Sequence, residues 1–227
     1  MTWRIASAGD AAVLLELEQK IDPRINARAA AIARAFRASA PAYVRDIVIG
    51  YCSVTVQFDP WLGNADAIAS LLESIATAKI LAPDVDERGA TIELPVCYGD
   101  AHGPDLAEVA AFARMHPSEV IRLHADRPYR VYMVGFVPGF PFLGSIDSRI
   151  AMPRRDTPRP RVPERSVGIA GVQTGVYPME TPGGWRLIGR TPVALSDPAR
   201  PEWCLVQAGD TVIFRAIDDE AYRRMGG

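Results

Sequence analysis

The chain has 227 residues, of which 48% are hydrophobic and 23% are charged, and its formal net charge at pH 7 is −2. This is the composition of a globular protein long enough for one large domain or two small ones. The near-neutral charge excludes the general attraction to nucleic acid or anionic membranes that a strongly basic chain has.

Nothing in the sequence predicts secretion or membrane insertion. The first residues lack the apolar run of a signal peptide, and no window has the uninterrupted apolar length that spans a bilayer. The cysteines Cys52, Cys97 and Cys204 are widely separated, which favours reduced thiols over a disulfide framework. We therefore expect a cytoplasmic protein, in which Cys52 and Cys97 are small buried side chains of strand-like runs.

The first part of the chain alternates between strand and helix patterns. Asp22 and Asn64 stand where helix N-caps are expected, and Asp22 is followed by proline at the first helical position. The order of elements is that of a split βαβ, ferredoxin-like unit with its helices on one face of an antiparallel sheet. The predicted elements are a strand at 13–17, a helix at 23–38, a hairpin of strands at 46–49 and 53–58, a helix at 65–78 and a strand at 91–97.

A polar segment at 82–89 carries proline and glycine and is the best candidate for a domain boundary. It predicts an N-terminal ferredoxin-like α+β domain at 1–88 and a second domain at 89–227. The pattern leaves open whether the strand at 91–97 closes the first sheet or begins the second domain.

The second domain begins with helix patterns and continues with strands and turns. Two helices are predicted at 106–115 and 118–125, with Glu108 and Glu119 early in each, where the helix dipole favours acidic groups. The turn-bounded β runs that follow are typical of a small barrel or a sandwich. These runs are 129–137, 166–170, 175–179, 185–191 and 210–216.

An arginine-proline run at 153–165 is the first candidate binding segment. Its prolines stiffen the backbone and hold the guanidinium groups apart, so the run can present several charged donors to a carboxylate or phosphate. The alternative is an exposed loop with solvated charges. The candidate residues are Arg154, Arg155, Arg159 and Arg161.

Two glycine-containing loops offer further candidates. Around Pro138, Gly139 and Phe140, the glycine can adopt positive φ and bring backbone amides close to a ligand beside apolar walls. The alternative is a structural turn that closes the end of the barrel with aromatic rings. Gln173 and Thr174, with Tyr177 close behind, offer donors and acceptors that suit an amide or lactam, although such residues are also common in structural hairpins.

The histidines do not predict a metal site. His102, His116 and His124 are not at metal-ligand spacing with one another or with cysteine, so no structural zinc is expected. His124 is a possible general acid or base, but a histidine that closes a helix is the alternative. The chain contains no GxxxxGK[ST], GxGxxG, GxSxG or HExxH motif. No catalytic residue is therefore assigned.

Four sequence blocks follow one another in the second half of the chain. They are GFVPGFPFLG at 135–144, MPRRDTPRPRVP at 152–163, GIAGVQTGVYP at 168–178 and TPGGWRLIGRTP at 181–192. Through these blocks the chain resembles the KipI / PxpB family, also called allophanate hydrolase subunit 1. The resemblance covers essentially the whole chain, is strongest after residue 90, and implies that the second domain is a cyclophilin-like β-barrel.

The resemblance implies a subunit of a heteromeric, ATP-dependent 5-oxoprolinase that opens 5-oxoproline to glutamate. Its implied partners are a PxpC/KipA-type subunit (allophanate hydrolase subunit 2) and a LamB/YcsF-like PxpA subunit. ATP with Mg²⁺ would be bound by the assembled complex, and would phosphorylate the lactam oxygen before water attacks the activated carbon. The arginine run would then offset phosphate charge, and Gln173 or Thr174 would orient the lactam.

Two other functions remain open at this point. The resemblance includes one member that inhibits a sensor histidine kinase, a function that needs an interaction surface and no catalytic residue. A component of a carboxylase that acts on urea or allophanate is the other alternative, and it would need a partner that carries biotin.

Overall fold

The structure, a computed structural model, describes residues 2–78, 89–200 and 202–227. The chain divides into two compact units, Met1–Arg88 and Gly89–Gly227. Most of the predicted linker, 82–88, lies outside the described residues. Within the described ranges, every helix is too short or too polar to cross a bilayer.

The first unit combines an antiparallel sheet with two helices. Neighbouring strands follow the order β1-β2-β4-β3, and α1 and α2 pack against each other and against the sheet. The strands are β1 (Arg4–Ser7), β2 (Ala12–Glu16), β3 (Val44–Ile49) and β4 (Ser53–Phe58), and the helices are α1 (Pro23–Ala38) and α2 (Ala65–Thr77).

Both helices begin at the predicted caps. The Asp22 carboxylate accepts hydrogen bonds from the backbone N–H groups at the start of α1, and Asn64 Oδ1 accepts from the N–H of Ala67 at 2.8 Å. These side chains satisfy donors that a helix start leaves unpaired. The buried residues of α1 then recur with helical spacing, and those of β4 alternate, so both elements present one apolar face to a shared core.

The strand predicted at 91–97 forms, but it does not join the first sheet. It is β5 (Thr91–Tyr98), a strand of the second unit. The edge position beside β2 is taken instead by β1, which was not predicted from the sequence. A tight turn explains this pairing, because Gly9 adopts a φ of +75° and the Ala8 N–H donates to the Ala12 carbonyl oxygen at 2.8 Å.

The second unit is built around a closed barrel of seven strands in the order β10-β7-β6-β13-β5-β12-β9. All its strand pairs are antiparallel except β5 and β13, which run parallel. The remaining barrel strands are β6 (Pro128–Val134), β7 (Pro141–Gly144), β9 (Ser166–Ala170), β10 (Gln173–Val176), β12 (Arg186–Arg190) and β13 (Thr211–Ile217). The barrel resolves the alternative between barrel and sandwich that the strand pattern left open.

Other elements surround this barrel. A separate two-stranded sheet pairs β8 with β11, and the packing of α3 against α4 contributes to the core of the unit. Their bounds are β8 (Arg159–Val162), β11 (Thr181–Gly183), α3 (Leu106–Ala113), α4 (Pro117–His124) and α5 (Asp219–Arg224), with a 3₁₀ turn at Ser148–Ile150. Helix α3 ends earlier than predicted because Arg114 adopts a left-handed conformation with φ of +54°.

Gly189 marks a close approach between β12 and β5. A Cβ atom there would lie 2.6 Å from Val96 Cγ1 and 2.9 Å from the Cys97 carbonyl oxygen. Both contacts are shorter than real Cβ contacts, and one of them is to backbone. The absence of a side chain at this position therefore allows the two strands to pair.

We predict that Gly189→Ala lowers the free energy of unfolding by about 1–3 kcal/mol, because the added methyl group forces β12 and β5 apart. Gly135→Ala is the matched control, since its Cβ would meet only the flexible end of Met133 at 3.4 Å. Urea unfolding of both variants measures the difference. Equal stability of the two variants would contradict the proposed close approach.

Candidate functional site

A pocket of about 240 Å³ opens in the second unit, where the glycine- and proline-rich segments of the chain meet. Five aromatic rings dominate its lining, and one cationic side chain lies among them. The lining residues are Phe136, Phe140, Phe142, Tyr177, Trp185, Arg154, Pro158, Pro182, Gly183 and Gly184. The pocket brings together Phe140, Tyr177 and Arg154 from the predicted site.

Phe140 is the centre of the aromatic lining. Its ring centre lies 4.7 Å from that of Phe142, 5.1 Å from that of Tyr177 and 5.4 Å from that of Trp185. The last two pairs are nearly perpendicular, at 80° and 89°, which is a favourable edge-to-face geometry for aromatic rings. Phe136 lies at the rim with 64% of its surface exposed. The lining is therefore fixed by ring packing and open on one side.

Backbone conformation makes this packing possible. Gly183 lies against the Tyr177 hydroxyl, where a Cβ atom would come within 2.4 Å of the oxygen. Gly139 has a φ of +85° and forms a turn next to the exposed Pro138, but neither residue belongs to the pocket lining. Phe136 has a φ of +69°, a conformation that costs a residue with a Cβ atom about 1 kcal/mol. The rim of the pocket therefore holds a side chain in an unfavourable backbone conformation.

Arg154 supplies positive charge to the pocket. Its guanidinium carbon lies 5.9 Å from the centre of the Trp185 ring, within the range of a cation–π contact. Within the described ranges, Arg154 forms no ion pair with an acidic side chain. Burial raises the pKa of the Tyr177 hydroxyl, which therefore stays neutral beside this charge. The pocket thus combines apolar walls, a neutral phenol and one guanidinium group.

The neighbouring arginines have different partners. Arg159 donates two hydrogen bonds to the buried carboxylate of Asp105, at 2.7 and 2.9 Å, and Arg155 donates a third at 3.2 Å. The backbone N–H of Leu187 donates to the same carboxylate at 2.7 Å. Arg161 instead has 81% of its side chain exposed. Of the four candidate arginines, Arg154 is the one that lines the pocket.

Thr174 and His124 lie inside the barrel rather than in the pocket lining. The Thr174 hydroxyl donates to the Gly168 carbonyl oxygen at 3.0 Å, so it accepts from His124 Nε2–H at 2.8 Å. His124 Nδ1 then accepts from the Tyr98 hydroxyl at 2.8 Å. Burial lowers the pKa of His124 to about 3, so the imidazole is neutral at pH 7. Both ring nitrogens are paired, which favours a structural role.

Gln173 occupies the first position of β10, opposite Gly144 and Ala170, and is partly buried. It does not belong to the pocket lining. The roles of Asp105 and Trp185 were not predicted from the sequence. The pair Gly183-Gly184 before Trp185 could have indicated that the backbone lies close to an aromatic ring. Asp105 carries no such signal, because a single aspartate before a helix pattern does not reveal two arginine partners that are distant in sequence.

Among the residues that the structure describes, one group of side chains could hold a metal ion. The donor atoms of Cys97, His102 and Asp219 all lie within 4.8 Å of one another. None of the three lines the aromatic pocket. Cys97 is buried, as its strand-like surroundings predict, whereas Cys52 is only partly buried. The sequence spacing predicted no zinc site, because the fold brings the three donors together from distant elements.

A comparison with protein families matches residues 3–206 to the family described as "Carboxyltransferase domain, subdomain C and D". The chain is 41% identical to the B subunit of 5-oxoprolinase from Bacillus subtilis (strain 168) over 229 residues, which cover 97% of this chain and 95% of that protein. It is 42% identical to the B subunit of 5-oxoprolinase from Escherichia coli O157:H7 over 207 residues, covering 91% of this chain and 92% of that protein.

Among solved structures, the crystal structure of TTHA0988 is similar to this chain with a TM-score of 0.80 and 37% sequence identity. The match covers 91% of this chain and 40% of that one. This chain therefore spans less than half the length of that solved protein.

We predict that His124 makes folding stability depend on pH. The pKa of His124 is about 3 in the folded chain, compared with an ordinary value of 6.5. Between these two pH values the imidazole is protonated in the unfolded chain and neutral in the folded chain. Stability is therefore lost as the pH falls from 6.5 towards 3, by about 2 kcal/mol between pH 7 and pH 5.

Urea unfolding at pH 5, 6 and 7 measures the free energy of unfolding of the wild type and of His124→Gln. In the variant, the part of the pH dependence that comes from His124 should be absent. His116→Gln replaces an exposed histidine and is the matched control. If His124→Gln retains the wild-type slope, the buried neutral imidazole is not its source.

Proposed function

This chain belongs to the carboxyltransferase subdomain C and D family and is a relative of the B subunits of 5-oxoprolinase, and we propose that it acts as the B subunit of a heteromeric, ATP-dependent 5-oxoprolinase. The two relatives at 41% and 42% identity are named as that subunit, and their alignments with this chain cover nearly their whole length. Neither the kinase-inhibitor function nor the urea or allophanate carboxylase function is favoured by these relatives.

We propose that the aromatic pocket binds the lactam substrate. 5-Oxoproline is a small ring that carries a carboxylate and a cyclic amide. The rings of Phe140, Phe142 and Trp185 would cover its apolar faces, and Arg154 would pair with its carboxylate. The observation that carries this proposal is a guanidinium group that lies over an aromatic wall without an acidic partner in the described ranges.

In this arrangement, Arg155 and Arg159 act as positioning residues. Their ion pairs with Asp105 hold the segment that carries Arg154, and the backbone N–H of Arg155 also donates to the Gly184 carbonyl oxygen at 2.8 Å. The neutral phenol of Tyr177 would offer a hydroxyl to the lactam amide. These residues bind and orient the substrate, and we assign no nucleophile to this chain.

The residues around the pocket do not fit ATP with Mg²⁺. Two of the nearby arginines are paired with Asp105, and the sequence has no phosphate-binding GxxxxGK[ST] loop. We therefore assign ATP binding to the assembled complex and derive no phosphoryl-transfer step from these side chains. We propose that a PxpC/KipA-type subunit and a LamB/YcsF-like PxpA subunit complete the enzyme in the cytoplasm, and that this chain alone is inactive.

We also propose finer descriptions of the two units as domains. Residues 1–88 would be a ferredoxin-like domain in which β1 takes the edge position of the sheet, a proposal supported by the strand order β1-β2-β4-β3 and the packed helix pair. Residues 89–227 would be a cyclophilin-like barrel domain, supported by the closed seven-stranded barrel.

Reconstitution tests the proposed function. We expect 5-oxoproline-dependent ADP release from a mixture of this chain with its two proposed partner subunits, and none from this chain alone or from the partners alone. The same rate with and without this chain would contradict the proposal.

We predict that Arg154→Gln raises the KM of the reconstituted enzyme for 5-oxoproline at least about tenfold, because a charged hydrogen bond to the carboxylate is lost. Arg161→Gln is the matched control from the same run, since 81% of its side chain is exposed. Steady-state kinetics at saturating ATP measures both variants, and circular dichroism checks their folding. An unchanged KM in Arg154→Gln would contradict the proposal that Arg154 binds the substrate carboxylate.

A further inference from the structure

We propose that Cys97, His102 and Asp219 form a binding site for a divalent transition-metal ion, with Zn²⁺ as the expected occupant. The Sγ atom, an imidazole nitrogen and a carboxylate oxygen lie within 4.8 Å of one another. The site is separate from the aromatic pocket and does not depend on the proposed oxoprolinase function.

The three donors come from elements that the fold holds in place. Cys97 belongs to β5, where it lies opposite Arg190 of β12 and Ile217 of β13. His102 lies in a turn closed by its own N–H, which donates to the Gly99 carbonyl oxygen at 2.9 Å. Asp219 is the first residue of α5. A metal ion at this point would therefore join α5 to the barrel.

The distances suit a small ion. Two ligands on a tetrahedral zinc ion lie about 3.3–3.6 Å apart when the metal–ligand bonds have their usual lengths. His102 Nε2 and Asp219 Oδ1 are 3.0 Å apart, and the two separations that involve Cys97 Sγ are each at most 4.8 Å. Shifts of about 1 Å in the positions of the donor atoms would therefore bring all three to coordination distance.

The chemistry of the donors selects the class of metal. A thiolate, an imidazole and a carboxylate together suit zinc and similar transition metals, whereas Mg²⁺ and Ca²⁺ prefer oxygen ligands alone. Asp100 and Asp218 place further negative charge near Cys97, which favours a cation. On binding, the metal would replace the proton of the Cys97 thiol, and that proton would pass to solvent. The hydrogen that His102 Nε2 donates to Asp219 would move through solvent to Nδ1, so that the neutral imidazole presents the Nε2 lone pair to the metal.

The site is both accessible and supported. Asp219 has 46% of its side chain exposed and His102 has 17%, so an ion can enter and a water molecule can take the fourth position. Tyr222 packs on the His102 ring at a centroid distance of 4.3 Å and limits its rotation. The second carboxylate oxygen of Asp219 pairs with Arg223, which leaves Oδ1 directed at His102. Such outer contacts orient metal ligands.

The competing explanation is that the His102–Asp219 hydrogen bond only fastens α5. That hydrogen bond does not need the thiol of Cys97, whereas the metal site does. A measurement that detects coordination by the thiol therefore distinguishes the two explanations. Co²⁺ is a suitable probe because it occupies zinc sites and gives a near-ultraviolet charge-transfer band only when a thiolate coordinates it. The experiment is a Co²⁺ titration of the reduced full-length chain after removal of metals with a chelator.

We expect a charge-transfer band that saturates at one equivalent of Co²⁺ and disappears on addition of Zn²⁺. Cys97→Ser should abolish the band, and His102→Gln should weaken binding at least about tenfold. Cys204→Ser removes a free thiol elsewhere and should retain the band. Asp219→Asn changes a half-exposed side chain, so it reports on the site even if Cys97→Ser folds poorly, and it should also weaken binding.

Circular dichroism establishes that each variant is folded before titration. Absence of a thiolate–cobalt band in the wild-type chain would overturn the proposal, and so would a band that survives in folded Cys97→Ser. Because this readout is the spectrum of the chain itself, its failure would leave the reconstitution experiment unaffected.

Discussion

The pairing of the buried Asp105 carboxylate with two arginines is the interaction on which the second unit most depends. Removing a carboxylate from water costs several kcal/mol unless charged partners compensate for it. Here Arg155, Arg159 and a backbone N–H of β12 all donate to it. One side chain thereby joins the start of α3 to β8, to β12 and to the segment before β8. Arg154 and Trp185 lie next to these anchored positions, so the pocket inherits its geometry from this ion pair network.

The arginine-proline run illustrates how one segment can serve two purposes. Arg155 turns inward to a carboxylate, while its neighbour Arg154 lies over an aromatic ring. A run of like charges in sequence therefore does not act as a single anion-binding surface. The arginines paired with Asp105 stiffen the segment, and a stiff segment loses little conformational entropy when Arg154 binds a ligand.

Local patterns predicted local structure well, and the failures share a physical cause. Helix caps such as Asp22 and Asn64 act within a few residues, so the sequence reveals them directly. The short strands β7, β8 and β11 escaped prediction because proline- and glycine-containing segments take strand conformation only when a partner strand is present. For the site, the aromatic loop was predicted, whereas the pairing of Asp105 with two arginines arises only from tertiary contacts.

The parallel pairing of β5 with β13 has a consequence for protein synthesis. The two strands are neighbours in the barrel but come from opposite ends of the sequence of the second unit. The barrel therefore cannot close until residues 211–217 have left the ribosome. Until then β5 has an unpaired edge, and its apolar residues Leu94 and Val96 are without their final cover. Contacts this distant in sequence form slowly. The nascent chain is therefore expected to need protection by chaperones during translation more than a barrel built from successive hairpins would.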